Sequence, residues 1–441
     1  MGKVRFTGAL AVWWIAGLCW AQAVSPPAPK NLAQELKALH ESVEALKNTL
    51  QAQQREIETL KQQNDAAHAQ APALPPAQPT PQVPPPPPPE TAAAPAADKG
   101  KVTQSTTPEI GALVDVLGYI TRDKTDEEGN NKLSVRELEL ILGQDVDPFT
   151  RFDATITFSD FEDVGIEEAY ITYLGLPEEI ALRVGRLRPR IGKASSVHRD
   201  QLDTADDPLV VQEYLGKEGL SRTGLELSRF LPQFSKPLTQ ELTLGVMEGG
   251  VGDGGHLFGD KRRIPSYYLH LKNFWEISET ANFELGATYL RGSSGNGSDG
   301  DVNALGVDTT FTYFVTPRNK LKLQSELYCQ SRNDRVLFTE DHLTLPSDNE
   351  DPWGFYSLVD YRLSPRFGIG ARYDWVEPVN NSPFNPRGED TAYTGYLTFY
   401  QSEFVRLRLQ YQYAELADGK DDNRLFLQGT FAVGVHKHQL K

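Results

Sequence analysis

The sequence predicts an all-β fold: a transmembrane up-and-down antiparallel barrel of about 16 strands over residues 108–441, preceded by an α-helical coiled coil and a Pro-rich linker. Three observations predict it. Short segments alternate apolar and polar residues with a period of two, which is the signature of strands. The spacers between them are alternately short and long, as in a chain that threads up and down through a membrane. The polar faces carry Arg, Glu and Gln, which suit a water-filled interior better than the dry centre of a sandwich.

The first 23 residues read as a secretory signal. Lys3 and Arg5 form a basic start, Thr7 to Trp20 an apolar core, and Ala21-Gln22-Ala23 a small-residue cleavage site. Residues 30–64 follow as a coiled coil. Leu32, Leu36, Leu39, Val43, Leu46, Leu50, Gln53, Ile57 and Leu60 alternate spacings of four and three, which keeps one seam turned to a partner. At 1.5 Å per residue that helix is roughly 45–50 Å long. Its leucine-rich seam does not fix the strand number, and Gln53 is a polar interruption that can set register. A lone amphipathic helix is the alternative. Residues 65–106 are rich in Ala and Pro, with an unbroken run from Pro84 to Pro89, and form a semi-rigid polyproline II spacer with no core of its own.

The strands fall near 109–120, 133–143, 149–159, 165–174, 179–188, 220–229, 239–247, 264–273, 281–291, 302–314, 320–332, 353–362, 367–375, 391–400, 404–413 and 423–435. Fourteen or eighteen strands remain alternatives. In Lys320–Ser331, Leu321, Leu323, Leu327 and Cys329 share one face, and Lys320, Lys322, Gln324, Glu326 and Gln330 the other. In Phe404–Tyr413, Val405, Leu407, Leu409, Tyr411 and Tyr413 oppose Arg406, Arg408, Gln410 and Gln412. One set of gaps is compact and proline-containing: Asp147-Pro148, Leu176-Pro177-Glu178, Phe230-Leu231-Pro232, Thr316-Pro317-Arg318 and Ser364-Pro365. The other set is mostly longer and rich in Gly, Asp, Asn and Ser. The longest gap, Pro189 to Gly219, is of a length that is usually functional. Aromatic residues near strand ends, among them Tyr119, Tyr373, Trp375, Tyr400, Tyr411 and Tyr413, suit the girdles of a membrane barrel.

Composition narrows the function classes. The 44 Lys and Arg against 60 Asp and Glu give a net charge of −16, which argues against a nucleic-acid partner. Of two cysteines, Cys19 lies in the leader and Cys329 on an apolar strand face, so the mature chain has no internal disulfide. No nucleophile elbow, phosphate loop or zinc signature is present. No catalytic activity, cofactor or metal is expected, and His198, Asp200 and Asp203 lack the helical or hairpin spacing of a metal site.

Two stretches carry a resemblance. One runs Val135-Arg136-Glu137-Leu138-Glu139-Leu140, through Asp145-Val146-Asp147-Pro148-Phe149, to Glu167-Glu168-Ala169-Tyr170. The other is Val184-Gly185-Arg186-Leu187-Arg188-Pro189-Arg190-Ile191-Gly192-Lys193, then His198 and Asp207-Pro208-Leu209-Val210. Together they resemble the outer-membrane porin group around the phosphate-selective porins O and P, and its uncharacterised relatives often labelled TonB-dependent receptors. Where that group usually has Pro-Phe-Gly this chain has Arg190-Ile191-Gly192, and it keeps a single histidine in the loop. The resemblance implies an outer-membrane channel of a Gram-negative bacterium, passing small hydrophilic solutes by diffusion, and a homotrimer. The N-terminal region would then lie in the periplasm within reach of peptidoglycan, and lipid would contact the outer face.

The candidate pore residues follow. Arg183, Arg186, Arg188, Arg190, Lys193 and Arg199 lead into the long loop, and Arg151, Arg222, Arg372, Arg406 and Arg408 line the wall with Lys320 and Lys322. Guanidinium groups in a narrow passage favour anions. By strict alternation Arg183 points inward while Arg186 and Arg188 share the lipid-side parity, so either they sit above the bilayer or a bulge near Gly185 turns them. Inward acids Glu137, Glu139, Asp153, Glu168, Glu226, Glu326 and Asp374, with Asp200, Asp203, Asp206 and Asp207 on the loop, are expected to face the basic wall. Salt bridges that merely satisfy the interior are the competing expectation. An energised TonB-dependent receptor is disfavoured because coiled coil and linker precede the barrel where a globular plug would sit. A secreted β adhesin or enzyme is the remaining alternative.

Overall fold

Alternation in a strand delivers every second side chain to one face, and a sheet that closes on itself gives those faces an inside and an outside. In the computed structural model, residues 108–122, 131–159, 163–233, 235–259, 263–294, 300–332, 336–338, 344–346, 351–379 and 388–434 are described. The signal, the coiled-coil seam and the linker lie outside these residues. The strands are β1 (Glu109–Thr121), β2 (Lys132–Asp147), β3 (Thr150–Ser159), β4 (Asp163–Tyr173), β5 (Ala181–Leu187), β6 (Arg222–Phe230), β7 (Leu238–Met247), β8 (Ser266–Ser278) and β9 (Ala281–Ser293). They continue as β10 (Asp301–Thr316), β11 (Asn319–Arg332), β12 (Val336–Phe338), β13 (Thr344–Pro346), β14 (Trp353–Arg362), β15 (Phe367–Val376), β16 (Asp390–Tyr400), β17 (Val405–Glu415) and β18 (Asp421–Gly434).

All but β12 and β13 pair with their sequence neighbours into one closed antiparallel barrel of sixteen strands. β1 and β18 seal it, in register from Gly111↔Gly434 to Thr121↔Arg424. The pair β12–β13 is a separate small hairpin in the gap between β11 and β14, where the sequence suggested only loop.

The compact gaps are turns made by their own side chains. Asp147 Oδ1 accepts from Phe149 N at 2.8 Å, Thr316 Oγ1 from Asn319 N at 3.1 Å, and Ser364 Oγ from Phe367 N at 3.1 Å. On β17, Leu407, Leu409 and Tyr411 are exposed on the outside while Arg406, Arg408, Gln410 and Gln412 are buried inside. The outer face carries aromatic clusters near both ends of the strands. Phe367 and Phe399 (5.1 Å between rings) lie towards the short turns, and Trp353 with Trp375 (4.2 Å) and Tyr373 with Tyr393 (5.1 Å) towards the long loops. Tyr119 and Tyr400 depart from the expected girdle. Both point inward, Tyr119 stacking on Phe426 at 5.0 Å and Tyr400 lying beneath the Arg362 guanidinium at 3.7 Å.

The long segment after β5 folds into the barrel. It contains a 3-10 turn at Arg199–Gln201 and one short α-helix, α1 (Leu209–Leu215), whose Val210, Val211, Tyr214 and Leu215 are buried. These pack on Met247, Tyr268, Leu290, Val302, Ala304, Tyr328, Tyr356, Val376 and Tyr396, the inward residues of β7–β11 and β14–β16. Burial at this level contributes about 1.5–3 kcal/mol for each large apolar side chain. The segment between β7 and β8 zips onto the same helix, with Gly252 N donating to Leu215 O at 2.8 Å and Leu257 N to Tyr214 O at 2.9 Å. One side of the interior is thus an apolar core, and the charged space lies on the other.

Candidate functional site

Three local departures from regular strand shape the charged side. At β1/β2, Asp115 pairs with Glu137 and Val116 with Val135, so Arg136 is an extra residue. At β3/β4, Thr155 pairs with Glu168 and Ile156 with Ile166, which leaves Glu167 extra. Such bulges re-aim side chains. Gly185 in β5 has φ +138, and a Cβ there would lie 2.2 Å from Ala169 O, so only glycine fits. Arg188, which strict alternation would face to lipid, is buried inside the barrel and ion-paired with Glu167.

Between this wall and the loop lies a cavity of ≈ 580 Å³. Lys132, Arg136, Arg186, Arg188, Arg199, Lys217 and Arg222 line it against only Glu167, Glu218 and Asp253 as acids. A second cavity of ≈ 210 Å³ shares Arg136, Arg199 and Lys217 and adds Arg424. At its floor the loop meets the wall. Ala205 packs with Leu117, Tyr119 and Phe426, its N–H donates to Gln410 Oε1 at 2.7 Å, and its carbonyl accepts from Arg136 at 2.5 Å.

Most of the expected pore cations are held by acids. Arg183 pairs with Glu226 at 2.8 Å and Glu168 at 3.5 Å, and Arg190 with Glu241 at 3.3 Å and Glu226 at 3.6 Å. Lys193 bridges Glu284 at 2.8 Å and Asp308 at 3.2 Å, and Arg199 meets Glu137 and Glu218, each at 3.4 Å. On the opposite wall Arg372 holds Asp374 at 2.7 Å and Asp206 at 3.1 Å, and Lys322 holds Asp203. Arg408 donates to Thr204 O at 2.7 Å, Leu202 O at 2.9 Å and Gln428 at 3.0 Å. The loop is therefore bound to β2, β4, β6, β7, β9, β10, β11, β15 and β17. Arg151 stands apart near the short turns with Glu109 (2.5 Å), Asp153 (3.1 Å) and Asp145 (3.2 Å), so it does not join the cluster.

Among the described residues, no acid lies within ion-pair distance of Arg186, Lys320, Arg362 or Arg406; Arg406 reaches Thr430 Oγ1 at 3.2 Å. Arg186 lines the larger cavity. The other three lie near the short turns, on β11, β14 and β17.

The loop acids follow their neighbours. Burial opposes ionisation of Asp203 and Asp206, yet Lys322 and Arg372 hold both below the usual carboxylate range. Burial pushes Asp207 up to about 6 despite Arg199 at 3.6 Å. Asp200 is buried beside the wall. Burial alone would lower the His198 pKa, but Glu167 and Glu168 raise it well above the usual value.

No family model matches the chain. An uncharacterized protein of Aquifex aeolicus (strain VF5) is 28% identical over 323 residues, spanning 68% of this chain and 68% of its own length. The anion-selective porin from Comamonas acidovorans superposes with a TM-score of 0.50 at 10% identity, covering 74% of this chain and 99% of that one. The barrel is porin-like in fold. Pseudomonas putida OprB gives the same TM-score of 0.50 at 10% identity, over 74% of this chain and 94% of its own. Identity at this level speaks for architecture and not for cargo.

Several residues of this porin-like interior escaped sequence reasoning. Arg136 and Glu167 sit at bulges, which a period of two cannot locate. Asp115, joined to Arg136 at 2.5 Å, Thr430 at 2.9 Å and Gln428 at 3.0 Å, is a further wall acid that the sequence did not single out.

Proposed function

We propose that the protein is a passive outer-membrane channel of a Gram-negative bacterium, not an enzyme, admitting small hydrophilic solutes with a preference for anions. The observation that carries this reading is the closed sixteen-strand barrel with an apolar exterior and a charged interior that a long loop narrows. The cavity beside the loop holds more cations than acids, and unpaired Arg186, Lys320, Arg362 and Arg406 add positive potential on both sides of the loop. The description of the Comamonas acidovorans neighbour as anion-selective supports the same sign. The pairing of Arg183, Arg188, Arg190 and Arg199 with carboxylates makes the preference weak to moderate. Arg183, Arg188, Arg190, Lys193 and Arg199 then position the loop, and Arg186 and Arg406 set selectivity. The heptad run 30–64 would join three protomers on the periplasmic side, with the linker giving reach towards peptidoglycan.

The test is single-channel recording in a planar bilayer under a salt gradient. A reversal potential of the sign given by anion flux is expected. A cation-selective channel would sink the selectivity reading, and a protein that never conducts would sink the channel.

A further inference from the structure

The loop carries His198 to a point where two wall strands deliver carboxylates from distant parts of the sequence. His198 Nδ1 lies 3.1 Å from Glu167 Oε2, and its Nε2 lies 3.0 Å from Glu168 Oε2. Glu139 on β2 completes the group: one ligand atom each from Glu139, Glu167 and His198 lie within 4.8 Å of one another. The bulge at Glu167 is what turns two consecutive glutamates towards the same ring.

An independent feature points to a ligand. Glu139 is 2% exposed, and its Oε1 is buried with no hydrogen-bond partner. Neighbouring wall acids are served: Glu137 by Arg199, Glu168 and Glu226 by Arg183, and Asp115 by Arg136. A carboxylate removed from water without a donor is strongly unfavourable, so a buried one takes up a proton or a cation.

The donor set selects the cation. Imidazole with carboxylates suits first-row divalent ions, whereas magnesium and calcium prefer oxygen alone. Two ligand atoms each about 2.0–2.1 Å from a tetrahedral zinc ion stand roughly 3.3 Å apart, close to the 3.1 Å between Nδ1 and Glu167 Oε2. Glu168 occupies the place of the carboxylate that accepts the other ring N–H of a metal-bound histidine and fixes its tautomer. We propose that Glu139, Glu167 and His198 form a divalent transition-metal site of the zinc class, which clamps the long loop to β2 and β4 inside the barrel. Binding exchanges the His198 Nδ1 proton and the proton that Glu139 carries without the ion, both released to solvent, for the ion.

The test uses the full-length protein in detergent without a polyhistidine tag, carrying His436→Gln and His438→Gln to remove the tail imidazoles. After dialysis against chelator, zinc chloride is titrated by calorimetry at pH 8. We expect binding that weakens at least tenfold in both Glu139→Gln and His198→Gln, about tenfold in Glu168→Gln, and not at all in His270→Gln. Zinc should also slow hydrogen exchange of residues 196–203 in the parent and not in His198→Gln. Absence of zinc binding would overturn the site and leave Glu139 with a proton only. Equal binding in His198→Gln, or magnesium binding as tight as zinc, would overturn it too. Heat-modifiable gel mobility checks each barrel, and His198→Gln, outside every strand, decides if Glu139→Gln does not fold.

Discussion

At Gly192 the loop passes so near the wall that a Cβ would lie 1.8 Å from Glu326 Oε1, with φ at +63. The next two amides, Lys193 N and Ala194 N, donate to Glu326 Oε2 at 3.1 and 3.2 Å. Gly192→Ala should therefore unseat this stretch, exposing Arg190 and Lys193 to trypsin in the folded barrel and raising conductance. Unchanged cleavage would show that the loop absorbs the methyl. Charge pairing separates two arginines that alternation puts side by side. Arg188→Ala leaves buried Glu167 with His198 as its remaining partner and should destabilise by roughly 1–3 kcal/mol, read from thermal loss of heat-modifiable mobility. Arg186→Ala breaks no ion pair, so stability should stay within about 0.5 kcal/mol while the reversal potential moves towards cations. If Arg188→Ala alone shifts selectivity, the assignment of roles is inverted.

The long loop is an element with an apolar half and a charged half, and Asp207 belongs to the second. Its folded pKa, about 6, lies above its ordinary value of 3.8. Stability from its protonated form is complete below about 3.8 and is lost as pH rises through about 6, a change of roughly 3 kcal/mol. Asp207→Asn should accordingly strengthen loop docking at pH 8 and leave it unaltered at pH 3.5, measured by hydrogen exchange of residues 199–208. Much of the barrel was legible because each strand is a period-two object whose wet and greasy faces differ, as in β11 and β17. The placement of the loop was not. Leu209-Val210-Val211 reads as an ordinary apolar run, and its partners Val302, Ala304, Tyr328 and Tyr356 are inward apolar residues on strands whose outer faces are apolar too. Nothing in a single strand says which greasy face meets lipid and which meets a helix. Arg136, Glu167 and Gly185 broke the alternation at the positions that shape the cavity, so the site was less legible than the fold that carries it.

For the whole molecule, charge is arranged so that ion pairs and hydrogen bonds tie the loop to most of the wall while unpaired cations remain on either side. Raising ionic strength should screen the unpaired ones and reduce the anion preference, while leaving the loop in place. Constant selectivity from 0.1 to 1 M salt would contradict that division. On the proposed role of the heptad run, removal of residues 30–64 is expected to lower the mass per particle in detergent from three protomers to one by light scattering, with single-channel conductance per barrel unchanged. The seam between β1 and β18 joins residues at opposite ends of the barrel sequence, from Gly111↔Gly434 to Thr121↔Arg424. A chain cut short before Asp421 would keep fifteen staves and lose the last, with both outer staves bare along their whole length. Such a product has two adhesive edges instead of none. A nonsense codon near the 3′ end is thus expected to be more harmful than many substitutions in the middle, yielding material that clumps or is degraded before it reaches any bilayer.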